Sequence, residues 1–438
     1  MLYFIPILIL EFYLCLTLLV FAFGPIDYEL ATPVLFWLLM VLYLVSFCVG
    51  FLIAYLIKGK PKQFSDFYLG DDKSTWYMYF IMMASFVASV ASFSTVSVFD
   101  ILNPQFWYQT VFNGIVDPGA QYRLKIERFQ SGAEANKILN ILSVFILFAK
   151  SLIIPMLVFM WHRLAFTMRF LALLISLIPV LSGFFNGTNK PVFDFLIFYA
   201  ASLFVYFIYN KFRFGSYKLK TRKFFIGVSI VACVGAFSFF GLVIGGRGGE
   251  VSYIESTSML GDITVINRSL ASSNPIYYAY VWFTNYLVQG YYGFSLSLQQ
   301  EFETTFGFGH SVFLMRQLEW LTNIDLTELT YQHKIDEFWG ESAQWHSLYS
   351  HLANDVHFFG VSFLCLFIGF FLARVWFSVL DNGSFYGACL IPLFVLLIFF
   401  IPANNQIFGF LGTFSSFSII TLLWLKEGKS LMTKRSDL

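Results

Sequence analysis

Uncharged apolar stretches of about twenty residues recur along this chain, and they restrict its fold more than any motif it carries. At a rise of ~1.5 Å per residue, ~20 helical residues cross the ~30 Å hydrocarbon layer of a bilayer. Segments of this kind lie at roughly 2–22, 33–57, 76–99, 138–160, 168–185, 191–209, 224–245, 357–375, 384–402 and 408–425. Lipid offers no partner to a backbone N–H or C=O, so such segments fold as helices that bond within themselves. Composition agrees: 12% of the 438 residues are charged and 58% are hydrophobic, where a soluble domain carries about 25% charge. The expected fold class is therefore an all-α polytopic membrane protein of about ten transmembrane helices. Met1 opens directly on an apolar run with no basic region before it, which predicts a retained first span. Cys15, Cys48, Cys233, Cys365 and Cys389 all lie in apolar runs, so neither disulfides nor a cysteine metal site is expected. A net charge of +1 predicts no nucleic-acid partner.

The connections predict an orientation. Lys58, Lys60 and Lys62 follow the second segment, and Arg163 and Arg169 lie between the fourth and fifth. Lys211, Arg213, Lys218, Lys220, Arg222 and Lys223 join the sixth to the seventh. Arg374 closes the eighth, and Lys426, Lys429, Lys434 and Arg435 form the tail. All fall on one side if both termini are cytoplasmic, as the positive-inside rule requires. The chain then divides into spans 1–7 over 1–245, with an outer loop at about 103–136, a large periplasmic loop over 246–356, and spans 8–10 with a basic tail over 357–438. A bacterial inner membrane is the expected location.

The large loop, of ~110 residues, is too long for a plain connection and reads as functional. Gly245-Gly246-Arg247-Gly248-Gly249 opens it as an expected flexible hinge holding one cation. Residues 274–300 then gather Tyr277, Tyr278, Tyr280, Trp282, Tyr286, Tyr291 and Tyr292 with few charges, which suits a membrane–water interface or the apolar face of a pyranose. An interfacial or re-entrant helix pair is expected there, and an amphipathic surface helix over 311–320. Within the loop twelve acids face four cations, Arg247, Arg268, Arg316 and Lys334. Isolated cations on an acidic background suggest a placed anion site.

Two kinds of chemistry follow. A planar guanidinium donates paired hydrogen bonds to phosphate oxygens and stabilises charge on a departing diphosphate. Arg247 is the first candidate, then Arg123 and Arg128, then Arg268 and Arg316; the plainer reading is snorkelling to headgroups or pairing with a nearby acid. Lys190 adds to this set unless it pairs with Asp194, four residues on. Lys150, in mid-segment, is the feature that favours a transporter. Activation of a sugar hydroxyl calls for a base, and His346, His351 and Asp355 stand together before the eighth segment, with Trp345 beside them as a sugar-binding ring. On a helix His351 and Asp355 share a face; the plainer reading is a pair of solvated or backbone-bonded histidines. No metal is expected, because the five-residue spacing of His346 and His351 does not suit one helix face and no HExxH pattern occurs. Walker, GxGxxG, GxSxG and DxD patterns are missing as well.

Three stretches then carry a resemblance: Asn186-Gly-Thr-Asn-Lys-Pro-Val-Phe-Asp194; Gln289-Gly-Tyr-Tyr-Gly-Phe-Ser-Leu-Ser-Leu298 leading into Glu301-Phe-Glu303 and Phe306-Gly-Phe-Gly309; and Trp345-His-Ser-Leu-Tyr349 with Asn354-Asp355 and Phe359-Gly360. In this order, and with this layout of spans, the chain resembles the Wzy-type O-antigen (oligosaccharide repeat-unit) polymerases. The resemblance implies a GT-C-like, inverting, metal-independent glycosyltransferase without cofactor. It would pass the glycan of one undecaprenyl-diphosphate-linked oligosaccharide to another at the periplasmic face. Implied partners are that donor and acceptor, membrane lipid, and a chain-length regulator and flippase of the same pathway. It also implies essential outer-loop arginines, a role that fits Arg123 and Arg247; independently of it, the aromatic faces of Tyr291, Tyr292 and Trp345 are expected on the sugar. An O-antigen ligase, or a lipid-linked oligosaccharide flippase from another class, is the competing reading.

Overall fold

A computed structural model describes residues 1–59, 74–90, 93, 103–130, 146–215, 219–247, 249–341 and 343–433. Lys60, Lys62, Lys137, Lys218, Gly248, Lys434 and Arg435 lie outside the described residues, as do the side chains of Arg128, Lys220, Arg222, Lys223, Cys233 and Lys429. The elements in chain order are α1 (Ile5–Phe23), β1 (Ile26–Tyr28), α2 (Pro33–Leu56), α3 (Ser74–Val90), α4 (Pro104–Val116), α5 (Pro118–Gln130), α6 (Phe148–Phe159), α7 (Phe166–Phe185), α8 (Lys190–Phe214) and α9 (Leu219–Gly246). They continue with β2 (Ile263–Val265), α10 (Pro275–Ser297), α11 (Val312–Thr322), α12 (Leu348–Asn382), α13 (Phe385–Phe400) and α14 (Leu411–Thr433). Helix occupies all or part of each apolar segment. Among the described residues five stretches are both long and apolar enough to cross a membrane: Leu2–Phe23, Pro33–Leu56, Phe166–Phe185, Lys190–Phe214 and Leu348–Asn382. The chain is a largely helical membrane protein.

The helix ends are written locally. Proline stands at the first turn of α1, α2, α4, α8 and α10, where its missing N–H costs nothing. Asn103 caps α4 by accepting from Gln105 N at 3.0 Å, and Asn274 caps α10 by accepting from Ile276 N at 2.9 Å. Gly215 ends α8 in the left-handed conformation, φ +68°.

The chain forms two compact units that do not follow chain order. One comprises Met1–Lys60, Glu250–Phe377 and Leu396–Phe414, the other Pro61–Gly249, Ser378–Val395 and Ser415–Leu438. In the first unit the long 246–356 segment is largely folded in with α1 and α2. β1 and β2 pair antiparallel with Tyr28 opposite Ile263. The segment expected as an interfacial or re-entrant helix pair is instead one 23-residue helix, α10, buried continuously from Val288 to Ser297. Its glycines explain this. A Cβ on Gly290 would stand 2.5 Å from Pro402 O, and one on Gly293 would stand 2.9 Å from Trp339 Nε1, so the chain packs directly on the helix backbone. α11 is the expected surface helix, capped by Ser311 and exposing Trp320.

In the second unit α3, α6, α7 and α8 pack together. Glu427 of α14 reaches the start of α13, accepting from Ser384 Oγ and from Phe385 N at 3.1 Å. A carboxylate there answers the unpaired N–H groups of a helix N-terminus.

Candidate functional site

The second unit holds the cation cluster. The turn after α7, the start of α5 and the end of α9 meet at backbone contact, and only glycine permits the approach. A Cβ on Gly119 would fall 1.8 Å from Gly246 O, and one on Gly187, which has φ +55°, would fall 2.1 Å from Pro118 O. Arg247 leaves α9 at this junction. Its Nη2 donates to Gly187 O at 2.6 Å, and its guanidinium carbon lies 3.9 Å from the Tyr122 ring centroid, a cation–π contact. Lys125 Nζ stands 5.7 Å from the same ring. Packing around Lys125, and then the charge of Arg247, hold its pKa below the ordinary lysine value. No carboxylate pairs with Arg247 or Lys125 among the described residues, and Arg247 Nε is buried without a hydrogen-bond partner. Leaving such a donor unmet costs about 1–3 kcal/mol.

The other expected cations separate. Arg123 is exposed on α5, next in sequence to Tyr122, the aromatic partner of Arg247. The Arg128 side chain lies outside the described residues. Lys190 pairs with Asp194 at 2.5 Å, so the pairing alternative holds. Arg268, in the first unit, pairs with Glu255 at 3.0 Å, and Arg316 is exposed on α11. Lys125 had no distinguishing mark in the sequence beyond standing three residues from Tyr122. The expected hinge at Arg247 is a close-packed junction on its Gly246 side.

The first unit holds the polar site. Tyr291 and Tyr292, expected as sugar platforms, are fully enclosed. Tyr291 meets Thr17 Oγ1 at 3.1 Å, and Tyr292 donates to Asp262 at 2.6 Å; both rings are committed to the core. Trp345 is half-buried, edge-on to Tyr286 with centroids 5.0 Å apart. His346 is 3% exposed. Burial first, then the neighbouring His351, push its pKa down to about 3, so it is neutral at physiological pH. His351 is buried as well, and its ring stands 6.5 Å from that of His346.

Asp355 does not bond His351, the partner that helical spacing suggests. Its Oδ2 instead accepts from His310 Nδ1 at 2.9 Å and from His310 N at 3.0 Å, while Oδ1 accepts from Gly307 N at 3.0 Å, Gly309 N at 2.9 Å and Thr305 Oγ1. His310 comes from Phe306-Gly-Phe-Gly309-His310, forty-five residues earlier, a partnership that no local spacing encodes. Asn354 beside it accepts from Tyr331 N at 2.9 Å and donates to Gly309 O at 3.0 Å, pinning the same loop.

No protein-family model, curated protein sequence or solved structure matches this chain.

Proposed function

We propose that this protein is a membrane glycosyltransferase that polymerises undecaprenyl-diphosphate-linked oligosaccharide repeat units into O-antigen-type polysaccharide. The observation that carries the reading is the Arg247 cluster. A guanidinium with an unmet buried donor stands beside Lys125, with no carboxylate among the described residues to neutralise either. Such a cluster suits an anion with several oxygens, and a diphosphate leaving group gains most from it as its charge develops. The apolar helices suit a substrate whose lipid stays in the bilayer. In this reading both termini are cytoplasmic, about ten spans cross the inner membrane, and the Arg247 junction opens to the periplasm.

The test is the lipopolysaccharide ladder of cells carrying Arg247→Ala. Long chains should disappear while the protein persists in the membrane, leaving cores with a single repeat unit. A normal ladder would remove the diphosphate role. Bare core with repeat units held outside the membrane would identify a ligase, and the same accumulation inside a flippase. Elongation is expected to survive chelation with EDTA; loss restored by a divalent cation would overturn the metal-independent mechanism.

A further inference from the structure

We propose that His310 and Asp355 form the acid–base dyad of the first unit, with His310 Nε2 taking the proton from the attacking hydroxyl of an acceptor sugar and Asp355 positioning the ring. This inference rests on the glycosyl-transfer reading and supplies the base that the reading leaves open.

The geometry sets the tautomer. A carboxylate oxygen that already accepts the His310 backbone N–H also lies 2.9 Å from Nδ1, which assigns the ring proton to Nδ1 and the free lone pair to Nε2. Five donors converge on Asp355, the surroundings of an ionised acceptor and not of a protonated acid. The ring is also held from its backbone: Asn405 Nδ2 donates to His310 O, and Ser311 Oγ donates to Phe408 O. Gly309 packs so closely that a Cβ there would lie 2.7 Å from Asn354 Cβ. A base fixed by packing and hydrogen bonds pays little to reach its reactive pose.

Access separates His310 from His346 and His351. Its side chain is 25% exposed while Asp355 is 9% exposed, and Nε2 makes no hydrogen bond among the described residues. His346 and His351 are enclosed, and the exposed His333 has its Nδ1 3.1 Å from the half-buried Glu341. Next to the dyad, Phe306 holds φ +56° with its side chain 73% exposed. A bulky residue in the left-handed region with its ring in solvent is a cost to the fold, and such a ring offers an apolar face to a pyranose.

In the step proposed, Nε2 accepts the hydroxyl proton as the oxygen bonds to the anomeric carbon. The anomeric carbon–oxygen bond to the diphosphate breaks, and its electron pair leaves on the diphosphate. Asp355 offsets the charge of the imidazolium, which then returns its proton to water. The titratable groups facing His310 are Asp355 and, more remotely, His351, both of α12; the 404–408 turn presents the uncharged Asn405 and Phe408.

The experiment uses the full-length protein in proteoliposomes, with the undecaprenyl-diphosphate repeat units that accumulate in cells lacking the gene. His310→Gln should lower kcat by about 10²–10⁴-fold, abolish the acid limb of the kcat–pH profile, and leave both thermal unfolding and binding of the repeat unit unchanged. His310→Ala should regain activity with added imidazole, and Asp355→Asn should shift the acid limb. Rates within threefold of native in His310→Gln, or losses that track unfolding with no imidazole rescue, would overturn the dyad while leaving the transferase reading intact. Failure of the unaltered protein to elongate these units would remove the transferase reading and the dyad with it.

Discussion

At the scale of single residues, burial decides which of the expected groups are available for chemistry. His346 illustrates this. Its folded form is neutral, whereas in the unfolded chain it protonates below about pH 6.5. The stability this group contributes is therefore complete above that value and declines as pH falls, by about 1.4 kcal/mol per pH unit, until its folded pKa near 3 is reached. Between pH 7.5 and pH 5.0 the loss should be about 2 kcal/mol, visible as a lower unfolding temperature in detergent. His346→Phe should flatten that dependence; an unchanged slope in the variant would assign the acid sensitivity elsewhere. The sequence marked His346, His351 and Asp355 by type and proximity, yet it paired the last two by helical spacing. The actual partner of Asp355 is His310, because the 304–311 loop folds back over α12 and delivers its N–H groups to one carboxylate.

Glycine is the main instrument at the scale of elements. α2 and α12 cross where a Cβ on Gly50 would stand 1.9 Å from Leu366 O and one on Gly369 would stand 2.2 Å from Phe47 O. Small residues allow helices in lipid to approach closely enough for dispersion and backbone contact to hold them. Gly50→Val should cost at least about 1–3 kcal/mol by overpacking, read as a fall in the detergent unfolding temperature, while Gly59→Val, which meets nothing within 4 Å, should leave it unchanged. Equal stability in both would show that the crossing yields without strain. Helix existence was legible from apolar runs, and helix starts from Pro and Asn. The course of 274–300 was not: an aromatic-rich polar stretch reads as interfacial, and only its contacts with α1, β1 and the 339–347 chain turn it into a core helix.

For the whole molecule, the distribution of lysine and arginine makes a prediction about orientation. Green fluorescent protein fused after Gly215 or at the C-terminus should fluoresce, and alkaline phosphatase fused after Asn323 should be active, since each reporter works on one side of the membrane only. The opposite pattern would invert the orientation and move the Arg247 junction to the cytoplasmic side. The two units, in contrast, are assembled from three separate pieces of chain each, so no cut of the sequence into consecutive domains describes them. Dividing the chain at 245 and 356 follows the hydropathy profile, which records solvent preference along the chain and not which segments pack together.

What the sequence determined by itself is the class of protein. Runs of ~20 apolar residues have one favourable environment, and within it a helix is the single-segment structure that satisfies the backbone. Its sparse cations and histidines also narrowed the chemistry to a few residues. Tertiary structure alone decided which of these remain accessible and with whom they pair: Arg268 and Lys190 are matched by acids, Tyr291 and Tyr292 are enclosed, Arg247 keeps an unmet donor, and His310 acquires Asp355. Solvent exposure and hydrogen bonding at a side chain depend on chain segments remote in sequence, and periodicity and composition carry no record of them.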